Sequence, residues 1–393
     1  MVTETTEQGW FSRIGSALKG MLVGGILFLV SMPLLFWNEG RAVKTARSLD
    51  EGEGAVVSVE AADVDAANDL KLVHLSGLAT TDEILRDDDF KIEANGIRLN
   101  RVAEMYQWKE NSETETDKTV GGKKTTTTTY TYETEWSSSL IDSGGFREST
   151  GHQNPSSMPL SGRVIRADNV ALGAFRLTPG MVGKISGSEP LTVTQDSIPE
   201  SFQDRMQLSG STELYLGEDP QTPAVGDTRV RFSVTRPAEI TVIAQQRGES
   251  FGAFETSNGY TIDMLRSGTH NVAEMFAMAR SDNTFLTWLI RAGGTIAMFA
   301  GLMFLMAPLA VIGDFIPLVG SIVSGGSFII SLAITMVLAS MTIALAWVFY
   351  RPIVAIPLVC IAVFGVYLLI KRRKPAVPVA AAAVDQLTEA DLV

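Results

Sequence analysis

The sequence predicts a multi-pass α-helical membrane protein of four spans, with a large, mainly β (α+β) soluble domain inserted between spans 1 and 2. Three observations predict it. An apolar run extends from Met21 to Trp37, and a hydrophobic block begins at residue 293 and is closed by Lys371, Arg372, Arg373 and Lys374. Between them the chain is dominated by short segments in which apolar and polar residues alternate.

The C-terminal block reads as three spans, Gly294 to Ile312, Ser327 to Val348 and Ile353 to Ile370. Each holds roughly 18 to 22 mostly apolar residues, close to the ~20 that a helix needs to cross ~30 Å of hydrocarbon. No ionisable side chain lies within an apolar run; Arg291, Asp314 and Arg351 fall at span ends, where they are expected to reach water. Trp347, Tyr350 and Tyr367 sit near the edges, as interfacial aromatics do. Gly293, Ala297 and Gly301 recur every four residues on one helical face, and Ser331, Thr335 and Ala339 do so on another. Small residues at that spacing let helix backbones approach closely, which drives association in lipid. These six are the candidate helix-packing residues, and the pattern fits contacts within one chain as well as between chains.

In order along the chain, residues 1–20 form an N-terminal segment in which Trp10, Phe11, Ile14 and Leu18 share one helical face, as in a helix lying on a membrane surface. Span 1 follows at 21–37. No small-x-small cleavage site precedes its polar flank Asn38-Glu39, so it reads as a retained span rather than a signal peptide. The soluble domain occupies 38–270. Short alternating segments at Leu70 to Leu78 and Phe90 to Glu93 read as strands. Val102, Tyr106 and Trp108 share one parity, and Tyr130, Tyr132 and Trp136 another, which predicts a hairpin with cross-strand aromatic contacts. Gly121-Gly122-Lys123-Lys124 and the threonine run 125–129 read as a long projecting loop with threonines extending the returning strand. A second hairpin is expected from Val230, Phe232 and Val234, a turn at Pro237, and the more continuously apolar, more buried run Ile240 to Ala244. Residues 271–290 read as a membrane-surface helix capped by Asn271. The three-span block covers 294–370. Inside it Pro317, Gly320, Gly325 and Gly326 are expected to break any helix between Asp314 and Gly326, leaving an interfacial or re-entrant piece. Residues 371–393 form a basic cluster and a disordered tail.

Orientation is read from the basic clusters. Lys371 to Lys374 place the C-terminus in the cytoplasm, and four spans then place the N-terminus there and the β domain on the other side. Arg41, Lys44 and Arg47 after span 1 pull the opposite way, but long translocated domains are largely exempt from the rule.

Composition excludes several functions. The net charge is −12, from 32 basic and 44 acidic residues, with no basic stripe outside the final cluster, which argues against nucleic acid. Cys360 is the only cysteine, so no disulfide framework forms within one chain. The histidines His74, His152 and His270 lie far apart with no ligand-like spacing, and no metal or other cofactor is expected. Asp87-Asp88-Asp89 reads as a solvated turn. Ser156-Ser157 and His152 share a loop without a carboxylate to orient a base, and no phosphate loop or nucleophile elbow appears. No catalytic residue is assigned.

Several blocks together resemble the LUMA family, which comprises transmembrane protein 43 and its bacterial relatives. They are Phe36-Trp37-Asn38-Glu39-Gly40-Arg41-Ala42 continuing through Ser48-Leu49-Asp50-Glu51-Gly52, Glu104-Met105-Tyr106-Gln107-Trp108 followed by Tyr132 to Trp136, and Gly151-His152-Gln153-Asn154-Pro155-Ser156. Val225 to Val230, Thr241 to Gly248, and Trp347 to Pro352 complete the series, in order from about residue 20 to 373. The resemblance implies four spans, a large lumenal domain and self-association through the membrane part, with no catalytic residues to carry over. In animals it implies the endoplasmic reticulum and inner nuclear membrane, emerin- and lamin-type partners, and a role in nuclear-envelope organisation; ion conductance is also proposed for the family. The short N-terminus and unrelated tail suit a bacterial member in a cytoplasmic membrane; emerin- and lamin-type partners are expected only in a eukaryotic one.

The sequence therefore points to a non-enzymatic, self-associating scaffold whose expected partners are the lipid bilayer, further copies of itself and other membrane or envelope proteins. The alternative is an ion channel or transport component lined by oligomerised spans, to which Ser331, Thr335, Ser340 and Thr342 would contribute hydroxyls.

Overall fold

Residues 10–55 run as one helix because nothing in them stops a helix in an apolar setting. The computed structural model describes residues 1–353 and, beyond them, 356, 357, 360, 364 and 367. In it α1 (Trp10–Ala55) is 46 residues long and passes through Pro33 without ending. Membrane helices tolerate such a proline where neighbouring helices cover the freed backbone groups. The polar second half stays helical because its Leu49 and Gly52 enter an apolar cluster with Leu72, Ile243, Ile262, Met275 and Phe276. The surface helix and separate span expected over residues 8–37 are thus parts of one rod.

The β domain packs two sheets face to face. The first contains β1 (Val2–Gln8), β3 (Arg98–Lys118), β4 (Lys124–Ser137), β5 (Met206–Ser209), β6 (Glu213–Leu216) and β7 (Thr228–Thr235), in the order β1-β4-β3-β7-β6-β5. The second is centred on β8 (Ala238–Arg247), flanked by β2 (Leu72–Thr80) and β9 (Met264–Ser267). Val73, Leu75, Leu99, Val230, Phe232 and Val242 meet between the sheets in one core. A short helix, α2 (Pro179–Lys184), capped by the Thr178 hydroxyl, adds Met181 and Val182 to it. The outer face of β8 carries Ile243 against α1 and Phe276. Burial on both faces is why Ile240 to Ala244 reads as nearly continuously apolar.

The two hairpin expectations fare differently. β3 and β4 pair as an antiparallel hairpin with Tyr106 opposite Trp136 and ring centroids 5.1 Å apart. Both strands run far beyond the expected ends, so the supposed loop is ladder as far as Lys118 and Lys124. Ladder hydrogen bonds satisfy backbone groups even where every side chain is polar. β7 and β8, by contrast, do not pair. Pro237 marks a corner at which the chain leaves one sheet for the other. Apolar alternation reports a buried face and says nothing of which strand lies alongside.

The helical block requires a correction. Among the described residues three helices, not four, are long and apolar enough to cross a membrane: α1, α3 (Val272–Gly313) and α4 (Pro317–Tyr350, apolar from Leu318). The expected span Ile353 to Ile370 lies largely outside the described residues, as do the 371–374 cluster and the tail. Placement of both termini on one side no longer follows from the span count. The surface helix and span 2 are one element, α3, started by a capping box between Asn271 and Glu274. The expected break between Asp314 and Gly326 is present but confined to residues 314–316, since α4 begins at Pro317 and runs through Gly320, Gly325 and Gly326. Proline suits a first turn, where its missing N–H has no intrahelical partner. Gly320 is dictated by its neighbour, because a Cβ there would stand 2.0 Å from Asp314 Oδ1.

Inside the β domain Tyr215 is buried, and its phenol donates to Asp227 Oδ2 at 2.5 Å. Burial, and then the hydrogen bond to a carboxylate, push its pKa well above the usual tyrosine value. The neutral phenol is therefore favoured in the fold. Its contribution is complete below the unfolded value near ~10 and is lost as pH rises through the folded value. Tyr215→Phe should cost about 1 kcal/mol at pH 7. Denaturant unfolding above pH 10 should show the variant losing stability less steeply than the parent.

Candidate functional site: the junction between bundle and β domain

Where α1 leaves its apolar run it carries Asn38, Glu39, Gly40 and Arg41, and these residues tie three helices together. The Glu39 carboxylate is fully buried. It receives Arg291 Nε at 2.6 Å and Nη2 at 2.8 Å from α3, and Trp347 Nε1 at 2.9 Å from α4. A two-pronged guanidinium pair of this kind is among the stronger charge-assisted contacts. The Arg291 guanidinium also lies over the Trp288 ring, 4.8 Å from its centroid. Asn38 Nδ2 donates to the Thr287 carbonyl at 3.1 Å, and Asn283 Nδ2 donates back to the Ala42 carbonyl at 3.0 Å. Arg41 Nη1 reaches Asn283 Oδ1 at 3.0 Å, and its Nη2 reaches Thr287 Oγ1 at 2.9 Å. Gly40 admits the end of α4, since a Cβ there would lie 2.6 Å from Tyr350 Cζ. The Phe36 and Phe349 rings meet edge-on at 5.7 Å.

A second polar layer closes the far end of the bundle. Asp314, at the α3–α4 turn, is buried and pairs with Arg13 of α1 and, at 2.9 Å, with Lys118 at the end of β3. Arg13 also donates to the Gly122 carbonyl at 2.6 Å, and Trp10 Nε1 to the Val311 carbonyl at 2.8 Å. The expectation that Arg291 and Asp314 reach water is thus corrected. Each is satisfied inside the protein by a partner that is remote in sequence. Along α1, Arg13 and Glu39 stand about 39 Å apart at 1.5 Å per residue. Between them large apolar side chains including Leu22, Ile26 and Leu29 on α1, Ile296 on α3 and Ile329 on α4 remain exposed. That spacing and that surface match a bilayer.

The candidate packing residues fall within this slab. Gly301 lies at the α1–α3 crossing, where a Cβ would stand 2.7 Å from Phe28 N and 2.8 Å from the Gly24 carbonyl oxygen. Gly293 is exposed with no atom within 4 Å of a built Cβ, and Ala297 is half-buried. Ser331, Thr335 and Ala339 are all buried, with Ala339 in a cluster with Leu35 and Met298. Among the described residues neither the Ser331 nor the Thr335 hydroxyl has a hydrogen-bond partner. On the β domain the His152 ring stacks on Tyr132, centroids 3.9 Å apart, and meets Trp108 edge-on at 4.7 Å. His74 approaches the His270 carbonyl oxygen at 2.9 Å. Among the described residues no group of three or more His, Cys, Asp or Glu side chains could hold a metal. Asp87 and Asp89 are not a free solvated turn, for Arg101 pairs with them at 2.9 and 2.8 Å.

The sequence blocks noted above thus meet in space. Residues 36–42 lie against 347–350, and Tyr106 exchanges backbone hydrogen bonds with Gly226 and Asp227. The family profile described as Transmembrane protein 43 matches residues 105–352. Transmembrane protein 43 of Rattus norvegicus is 34% identical over 385 residues, covering 95% of each chain, and that of Homo sapiens is 34% identical over 386 residues with the same coverage. The chain belongs to the transmembrane protein 43 family. The Drosophila melanogaster homolog of transmembrane protein 43 is 30% identical over 340 residues, covering 85% of this chain and 89% of its own. No solved structure matches. As a transmembrane protein 43 family member the chain is an integral membrane protein, and LUMA is the same family.

Sequence reasoning missed the Glu39–Arg291–Trp347 network, although each member is a polar or amphipathic residue bordering an apolar run. Glu39→Gln should remove one charge of a buried pair and destabilise the family member by about 3 to 5 kcal/mol, read by denaturant unfolding in detergent. The crossing yields a second expectation. Gly301→Leu must displace α1 backbone and should lower the thermal stability of the bundle while the β domain stays folded; Met303→Leu should do much less. Equal stability in both variants would show that the crossing tolerates a side chain.

Proposed function

We propose that this transmembrane protein 43 family member is a non-enzymatic membrane scaffold that self-associates and holds its β domain at a fixed attitude to the bilayer. The observation that carries the reading is the ribbon formed by β1, β4 and the outer part of β3. Its root lies in the β domain and its tip touches the far end of the bundle, at Arg13, Asp314 and Phe315. It therefore passes the whole thickness of the apolar slab. Over its outer ~20 Å, at about 3.3 Å per residue, its sequence is Ser112-Glu113-Thr114-Glu115-Thr116-Asp117-Lys118 on β3 and five consecutive threonines on β4. Hydrocarbon does not accept such a ribbon, since its open edges leave backbone groups unpaired. Protein must flank it, and further copies of the same chain are the simplest source. The rigid junction supports the structural role. α1 and α3 continue unbroken from the slab into the β-domain core, so the domain has no swivel.

The test uses Thr6 and Thr126, which stand opposite each other on β1 and β4. Both are replaced by cysteine in a Cys360→Ala background, oxidised in native membranes and separated by size. The internal cross-link should be confined to the oligomeric fraction. Equal cross-linking in single copies reconstituted in lipid nanodiscs, or the absence of any oligomer, would overturn the self-association reading.

A further inference from the structure

Beside the Glu39 network a crevice of about 1000 Å³ opens between α1, α3 and the 258–266 segment of the β domain. Its charge runs against that of the chain, whose net charge is −12. The lining carries Arg41, Lys44, Arg47, Lys184 and Arg266 against only two carboxylates, Asp263 and Asp282. Those carboxylates are already engaged, Asp263 with Lys184 at 3.3 Å and Asp282 with Arg266. Arg41, Lys44 and Arg47 remain, and among the described residues none of them has a carboxylate within ion-pair distance. Arg41 is held by neutral acceptors only: Asn38, Asn283 and Thr287. Arg47 donates to the Tyr350 carbonyl at 3.1 Å, and Lys44 is exposed. Spaced three residues apart, the three cations occupy one face of α1.

The position is as specific as the charge. Trp37, the last residue of the apolar run, and Leu286 of α3 line the same crevice and are 56% and 41% exposed. A ligand seated here would meet cations without ion-pair partners on one side and an apolar, aromatic wall leading into the slab on the other. We propose that the crevice binds the phosphate headgroup of an anionic phospholipid, with Lys44 and Arg47 in contact with phosphate oxygens, Arg41 as a fixed charge behind them, and the acyl chains running past Trp37 along the bundle. This inference is independent of self-association. It also gives the basic residues after span 1 a role other than setting orientation.

Full-length protein in detergent is titrated with dioleoyl phosphatidylglycerol, dioleoyl phosphatidylcholine or glycerol 3-phosphate, and thermal unfolding is followed. Ligand that binds only the folded state raises the melting temperature. The anionic lipid should raise it for the parent, phosphatidylcholine should not, and Lys44→Gln/Arg47→Gln should lose more than half of the rise. Both side chains are exposed, so the double variant should fold. Lys19→Gln, a surface cation near the other end of α1, should keep the full rise. An undiminished rise in the double variant, or an equal rise with phosphatidylcholine, overturns the site. A full rise with glycerol 3-phosphate alone overturns the lipid as its source.

Discussion

The architecture depends on one electrostatic constraint, that a charge is buried in a membrane bundle only where a partner meets it. Burying an ion costs several kcal/mol, which an accurately placed opposite charge and further hydrogen bonds can offset. Glu39 meets that requirement with a guanidinium fork and an indole N–H, and Asp314 does so with Arg13 and Lys118. Each carboxylate draws in groups from two other elements, so each fixes the relative height of the elements it joins. The two layers thereby set the register of α1 against α3 at both ends, and the small-residue crossing at Gly24 and Gly301 fixes how closely they approach between the ends. Charge determines register, and packing determines separation.

That division explains what could be read from the sequence. Hydrophobic runs located α1, α3 and α4, since membrane insertion depends on composition over about 20 residues. The aromatic parity of Tyr106 with Trp136 located the central hairpin, because strand pairing leaves a two-residue period. The Asn271 cap was legible because it is local. Long-range partners left no such trace. Nothing in the residues next to Asp314 points to Arg13, and nothing near Asp87 points to Arg101. Glycines misled at α4, where Gly320 is present to pass the Asp314 side chain rather than to end a helix. β7 and β8 misled in a similar way, because two buried strands joined by a proline turn look alike whether they share a sheet or face each other across a core.

The threonine-rich ribbon is where these lessons combine. As a sequence it is low in complexity and reads as a loop, yet in the fold it is a three-stranded ladder, polar throughout where Thr3 to Gln8 and Glu113 to Lys118 flank Lys124 to Thr129. A ladder needs no apolar face when it is solvated, but an isolated ribbon gains little stability from its pairing alone. Its tip therefore depends on what it touches. Gly121 N–H donates to the Phe315 carbonyl at 2.9 Å, and Gly122 takes a positive φ of 74° under the Trp10 ring, where a Cβ would stand 2.3 Å from Cδ1. Both contacts belong to the bundle end that Asp314 organises. The far charged layer thus does two things at once. It sets the α1–α3 register and anchors the ribbon, and the anchored ribbon requires that one flank of the bundle face protein or water. A helix bundle that satisfied all its charges within itself could sit alone in lipid. This one commits the Lys118 partner of Asp314 to a polar strand, and so ties its far charged layer to the β domain.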